Sequence, residues 1–331
     1  MDTLLYPLEW VVANIVVIWH QLWTFIGLDP AGGITWALAI VGLVITIRAA
    51  LIPLFVKQIK ASRAMQMIAP DLKKVQDKYK GKKDQASREA MSRETMELYA
   101  KHKTNPFASC LPMLVQAPIF FALFRVLNYN LGGTNGPIGL LSQDLIDQAR
   151  DATLLGAHLS ETFFNSEGAS AKIVSALLIV AMVATTFITQ HQLTRKNLPA
   201  SALEGPMAQQ QKILMYALPF IFVITGPNFP VGVLIYWTTT NLWTLGQQWY
   251  VIRNNPTPGS EAERIHKERL AAKAAKRAAR RGEDPDQAVI EAEAVVEEEP
   301  KRSGQRQQPK RKNRGGSKPQ ALPADDTKDE S

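Results

Sequence analysis

The residues best placed to do chemistry are polar groups set inside long apolar runs. Arg48 leads them, within ITWALAIVGLVITIRAALIPLFV at residues 34–56. A guanidinium does not shed its proton, and holding it at mid-bilayer costs on the order of 3 kcal/mol or more. From Arg48 to Val56 lies roughly 12 Å of helix. A helical side chain leans toward its own N-terminus, here away from that boundary, so reaching back to the interface is strained. A hydrated cavity opening on the Val56 side accounts for Arg48 better. Glu9 and Glu204 fall at segment edges, so no intramembrane acid is expected to pair with it. Gln116, Gln190, Thr238, Thr239, Thr240, Asn241, Gln247 and Gln248 sit in or at the ends of other apolar runs. Such groups face either a neighbouring helix, as hydrogen-bonding partners, or a wet cavity.

Covalent chemistry finds no support. The chain carries no H-E-x-x-H, no phosphate-binding G-K-[ST] and no G-x-S-x-G, the spacings that would assemble a zinc site, a nucleotide loop or a serine nucleophile. His20, His102, His158, His191 and His266 are scattered over separate segments, and Cys110 is the only cysteine. No metal, cofactor, disulfide or ATP-driven step is expected.

The elements that must position these groups are apolar helices. About 20 apolar residues match the ~30 Å hydrocarbon core, and residues 34–56, 105–128, 171–192 and the two halves of 213–252 give five spans. The segment 1–33 precedes them. Within it Glu9, Ala13, His20 and Thr24 share one helical side, and Leu8, Val12, Ile15, Trp19, Leu22 and Ile26 the other. That pattern fits a helix lying in the interface or a sixth span. No Lys or Arg precedes Arg48, so the start lacks the basic region of a secretory signal, and no lipid-acceptor cysteine lies near it.

The formal charge of +8 is unevenly placed. Residues 57–104 hold thirteen Lys/Arg against six Asp/Glu. Apolar spacing on either side of Gly81 suggests two charged helices folded as a hairpin. Residues 129–170 form a Gly-rich loop with five acids and one arginine. By the positive-inside rule the hairpin, the loop 193–212 and the C-terminus are cytoplasmic, and 129–170 is external. The tail, 253–331, opens with a helix: Ser260 as cap, early acids, late bases and Gly282 at the end. From Pro285 onward it reads as disordered. Its basic runs, Lys273–Arg281 and Lys301–Lys318, suit contact with ribosomal RNA or anionic lipid, or only solvation near polyanions.

Three runs in order, ITIRAALIPLFVKQIKASRAMQ, NPFASCLPMLVQAPIFFALFRVL and VLIYWTTTNLWTLGQQ, resemble the YidC family of membrane protein insertases. The likeness spans about Leu5 to Arg253. It lacks the large outer domain of some members and the lipobox cysteine of others, and so is similar to the actinobacterial branch. The resemblance implies an all-α integral membrane protein: a five-transmembrane-helix insertase core with an N-terminal amphipathic or sixth spanning helix and a cytoplasmic helical hairpin. A polar groove open to cytoplasm and lipid would admit nascent membrane proteins. Its arginine falls on Arg48, with Gln116, Gln190, Trp237 and Asn241 as further lining. The hairpin, through Lys57, Lys60, Arg63, Lys73, Lys74, Lys78, Lys80, Lys82 and Lys83, would receive the ribosome or a targeting receptor. The Sec translocon and anionic lipid complete the implied partners, in the cell membrane. A small-solute secondary transporter or channel is the alternative; it would be expected to show inverted repeats and a paired ionisable residue across broken helices.

Overall fold

The computed structural model describes residues 2–290 except 83, 103, 106–110, 133 and 199–205. Most of what is described is helix. Residues up to Arg269 pack as one unit, and Leu270 onward forms a second. Two stretches, Gly33–Ala50 and Ala169–Lys196, are long and apolar enough by themselves to cross a membrane.

Helix α1, Asp2–Phe25, stops at Gly27, whose φ of 108° other residues rarely adopt. Helix α2, Gly33–Ala50, follows after Asp29-Pro30, where Thr35 Oγ1 donates to the Asp29 carbonyl at 2.6 Å. The helices pack against each other through small residues. The Trp19 ring lies directly on Gly42, and its Nε1 donates to Thr46 Oγ1 at 2.9 Å. The polarity of α1 is turned inward. Glu9, Asn14 and His20 are buried, whereas Trp10, Ile18, Leu22 and Phe25 are exposed. Val12, Ala13, Val16 and Val17 are buried alongside Glu9, Asn14 and His20.

Beyond a single non-helical residue, Leu51, the chain continues as α3, Ile52–Met67. The hairpin boundary read at residue 57 therefore falls inside a helix. Pro53 is tolerated in the first turn, where no N–H is needed, and no breaker follows until Ile68. The basic segment thus holds three helices rather than two: α3, α4 at Ala69–Lys78 and α5 at Gln85–Lys101. Helices α4 and α5 pack through Ile68, Leu72 and Tyr99, with Met65 and Leu98 against them. Glu94 on α5 accepts from Lys78 Nζ and from Tyr79 Oη, the latter at 2.9 Å.

Helix α6, Leu111–Arg125, ends in a π turn, Val126–Asn130. The acidic segment after it is not a bare loop. It contains α7, Gln143–Asp151, and a two-residue hairpin, β1 Thr153–Leu154 with β2 Ala157–His158. Ile138, Leu141, Ile146 and Ala149 bury completely or nearly so. Helix α8, Ala169–His191, runs into a second π turn, Gln192–Lys196. Helix α9, Pro206–Thr225, and α10, Val231–Asn254, are joined at Gly226–Asn228. The composition of α10 explains why it fails as a simple apolar span: Thr238, Thr239, Thr240 and Asn241 interrupt it.

Helix α11, Glu261–Arg281, begins with a capping box: Glu263 N donates to Ser260 Oγ at 3.2 Å, and Gly259 N to Glu263 Oε2 at 2.6 Å. Gly282 closes it with φ 71°. Residues 285–290, expected to be disordered, are helical. Asp284 starts that turn, its carboxylate accepting from Asp286 N at 3.0 Å and its carbonyl from Ala288 N at 3.2 Å. Lys301–Lys318 lies outside the described residues.

Candidate functional site

The core is distributed unevenly along the helices. On α2 the buried residues run from Gly33 to Val44, including Trp36, Ala39, Ile40 and Leu43. On α10 they run from Val231 to Tyr236, with Thr238 beyond. The segment between α6 and α8 seals this end. The first N–H groups of a helix have no partner inside it; here Val231 N donates to the Glu161 carbonyl and Gly232 N to the Leu159 carbonyl, each at 2.9 Å. Asn14 on α1 ties the same segment down, its Oδ1 accepting from Leu140 N at 2.7 Å.

Past Val44 and Tyr236 the packing opens. Ile45 is 41% exposed, Ile52 46% and Leu242 53%. An apolar cavity of ≈460 Å³ lies between α3 and α10, lined by Ile52, Val56, Ile59, Leu242 and Trp243 among others.

Arg48 stands where one regime gives way to the other, in the last turn of α2. Its guanidinium carbon sits 5.3 Å from the centre of the Phe55 ring, a cation–π contact worth about 0.5–2 kcal/mol. Tyr236 on α10 is near enough to interact with it electrostatically. Among the described residues no carboxylate pairs with it. The chemistry open to a half-buried cation in such a place is Coulombic attraction of a negatively charged group.

The other sequence-derived positions do not converge on one point. Trp237 is enclosed by aromatic rings, with Phe222, Phe120 and Phe229 at 4.9, 5.3 and 5.3 Å, and so joins α6, α9 and α10. Asn241 turns toward α8, donating to Thr186 Oγ1 at 3.0 Å and to the Met182 carbonyl at 3.4 Å. Thr238 Oγ1 donates to the Leu178 carbonyl at 3.3 Å. Both therefore bind α10 to α8. Gln116 and Gln190 are partly exposed and make no hydrogen bond with the described residues.

Of the hairpin residues, Lys74 pairs with Asp71 at 2.8 Å and Lys78 with Glu94. The Lys78 ammonium and Tyr79 hydroxyl hold the Glu94 carboxyl below the usual range, and the Lys74 ammonium does the same for Asp71. Lys57, Lys80 and Lys82 are described without a carboxylate partner, Lys82 lying 5.5 Å from the Tyr79 ring centre. Lys73 is also in contact with a neighbour. The side chains of Lys60 and Arg63, and the whole of Lys83, lie outside the described residues.

Sequence reasoning missed a second arginine. Arg125, at the end of α6, meets Glu9 of α1 with Nε 2.6 Å from Oε1, and the Glu9 side chain is only 7% exposed. Glu9 is therefore a buried, paired group inside a helix, not an edge residue. The signal was available: Arg125 closes an apolar run as conspicuously as Arg48 interrupts one, and an acid inside α1 was the complementary charge.

The model of the 60Kd inner membrane protein family matches residues 27–258. A protein of Streptomyces avermitilis named membrane protein insertase YidC is 48% identical over 273 residues, covering 80% of this chain and 61% of that one. Proteins of the same name from Tropheryma whipplei and Bifidobacterium longum are 37% and 34% identical. Those alignments cover 82% and 94% of this chain, and 90% and 94% of the relatives. The chain thus spans about three fifths of the Streptomyces relative's length and nearly all of the other two. It belongs to the 60Kd inner membrane protein family, the family of the YidC membrane protein insertases.

Proposed function

We infer that the chain is a cell-membrane protein that inserts nascent integral membrane proteins and helps them fold. The observation that carries this reading is the change of packing along α2 and α10, with an unpaired Arg48 at the point of change. In our reading α2 with the start of α3, then α6, α8, α9 and α10, are five spans. The basic helices α3–α5 and α11 face the cytoplasm, following the excess of Lys and Arg there. The sealed end is then external. Helix α1, polar toward the protein and apolar outward, is embedded in lipid beside α2.

A nascent segment docks at the basic helices, where a ribosome or targeting receptor delivers it, alone or beside the Sec translocon. Its short hydrophilic portion enters between α2, α6 and α10 from the open end, with Gln116 and Gln190 as spare polar partners. Arg48 draws in acidic residues, and water in the opening lowers the cost of burying polar backbone partway across. The apolar portion lies against Ile52, Val56 and Leu242 and passes into lipid. Membrane potential adds ~2.3 kcal/mol per charge per 100 mV. No covalent bond changes.

In reconstituted vesicles, Arg48→Ala lowers insertion of a single-span substrate with an acidic external tail about tenfold, the value of one charge-assisted contact. Arg48→Lys retains most of the activity, because a point charge suffices. Equal insertion by wild type and Arg48→Ala would contradict the reading.

A further inference from the structure

A second site lies at the other end of the open half, away from Arg48. A cavity of ≈200 Å³ is enclosed by the π turn after α8, the end of α10 and the start of α11. Lys196, Arg253, His266 and Arg269 line it, with Trp249 and Ile252 as apolar wall. No carboxylate is among its described lining residues. Two of the three acids of α11 are engaged elsewhere: Glu263 with Lys267 at 3.4 Å, and Glu268 with Arg264 at 2.9 Å; the third, Glu261, is exposed and does not line the cavity.

The cationic side chains are held in place. The Arg253 guanidinium carbon lies 5.0 Å from the Trp249 ring centre. Arg269 Nη2 donates to the Arg253 carbonyl and lies 2.8 Å from His266 Nδ1. Arg269 Nε is buried without a hydrogen-bond partner, a charge-bearing donor left unused. Two oriented guanidinium groups and an ammonium around one small cavity match the oxygens of a phosphate.

We propose that this cavity binds the phosphodiester head of an anionic phospholipid. The surroundings favour lipid over a free ion or RNA. The cavity lies where α8 and α10 lose their apolar character; Trp249, which lines it, is 52% exposed, and its chain neighbour Tyr250 is 62% exposed. Outward aromatic rings at such a level mark the headgroup region, and basic pockets between helix ends on the cytoplasmic side hold acidic lipid heads. The site would tie α11 to the end of α10 when acidic lipid is present. The proposal rests on the membrane placement of α10 given above. Its test reads lipid retention rather than insertion, so the two readings fail separately.

The full chain is purified in neutral detergent and examined by native mass spectrometry with phosphatidylglycerol, phosphatidylcholine, inorganic phosphate or a short single-stranded RNA. The expected result is retained phosphatidylglycerol, with little phosphatidylcholine. Arg253→Gln/Arg269→Gln loses at least tenfold of it, with an unchanged elution volume and melting profile. Lys273→Gln/Lys276→Gln, which alters the charge of α11 without touching the lining, retains it. Retention that both double variants preserve, or that phosphatidylcholine matches, overturns the site. So does displacement of the lipid by millimolar phosphate, which would make it a free-anion site. Preference for RNA that depends on Arg253 and Arg269 overturns the lipid as well. Should the double variant fold poorly, Arg253→Lys with Arg269→Lys serves: it keeps the charge but loses the planar fork, and weaker retention is again expected.

Discussion

The two halves of α2 and α10 obey different rules. Toward Gly33 and Val231 the helices are largely buried, the connecting segment is packed over them, and the first N–H groups of α10 are bonded to the Glu161 and Leu159 carbonyls. Toward Arg48 and Leu242 apolar side chains are exposed, a cavity opens between α3 and α10, and a cation stands without a carboxylate among the described residues. The two arginines express the contrast. Arg125 is compensated by Glu9 and fixes α1 to α6, while Arg48 has only an aromatic face beneath it. A buried ion pair is a poor source of net stability but is costly to break. An unpaired cation is the opposite: removing it takes little from the fold and much from whatever it attracts. The same residue type is thus neutralised by a carboxylate in one place and set against an aromatic ring in another.

Breaking the structural arginine has the largest effect on stability. Arg125→Ala leaves the Glu9 carboxylate buried alone and destabilises the protein by about 3–5 kcal/mol, read as a fall in melting temperature in detergent. Adding Glu9→Gln recovers much of the loss, because no buried charge then remains. Arg48→Ala, measured the same way, should change stability by no more than about 2 kcal/mol, the value of its contact with the Phe55 ring. If the two single variants melt alike, the contrast between the arginines is wrong.

The sealed half is sharpened by Gly42. Its missing side chain lets the Trp19 ring lie on the α2 backbone, so Gly42→Ala overpacks that contact and costs about 1–3 kcal/mol. The equivalent change in the open half, Gly246→Ala, meets nothing within 4 Å. It should be neutral, or stabilising by up to about 1 kcal/mol through helix propensity.

The smallest effect belongs to the basic helices. Asp71 and Glu94 titrate below their ordinary values because Lys74 and Lys78 stabilise the carboxylates. Stability from a lowered carboxylate pKa is present above the unfolded value, near 4, and is lost as pH falls through the folded one. Hydrogen-exchange protection of α4 and α5 should therefore hold from pH 7 to pH 5 and decline below about 4. Glu94→Gln should remove most of its share of that decline.

Much of this was legible in the chain itself. The apolar runs, Arg48, the basic excess after Val56 and the capped helix at Ser260 are local patterns, and local patterns survive without knowledge of neighbours. What escaped were relations between segments. Glu9 and Arg125 each look like the end of a run until α1 and α6 are brought together. The acidic segment reads as loop from its glycines, yet Ile138, Leu141 and Ile146 find cover only because α1, α2 and α10 supply it. Asn241 and Thr238 were ambiguous between groove and glue. Only the position of Thr186 and Leu178 across the interface gives them partners.

The central claim is that substrate enters the open half and not the sealed one. Ile45, Arg48 and Ile52 form one stripe along α2 and α3, with Ile45 and Ile52 exposed, whereas Ile34, equally outward at 58%, lies at the sealed end. A photoreactive residue placed in turn at positions 45, 52 and 34, against a ribosome-stalled single-span nascent chain, tests it directly. Strong cross-links are expected from 45 and 52 and few from 34. Equal labelling from all three, or labelling from 34 alone, would contradict it.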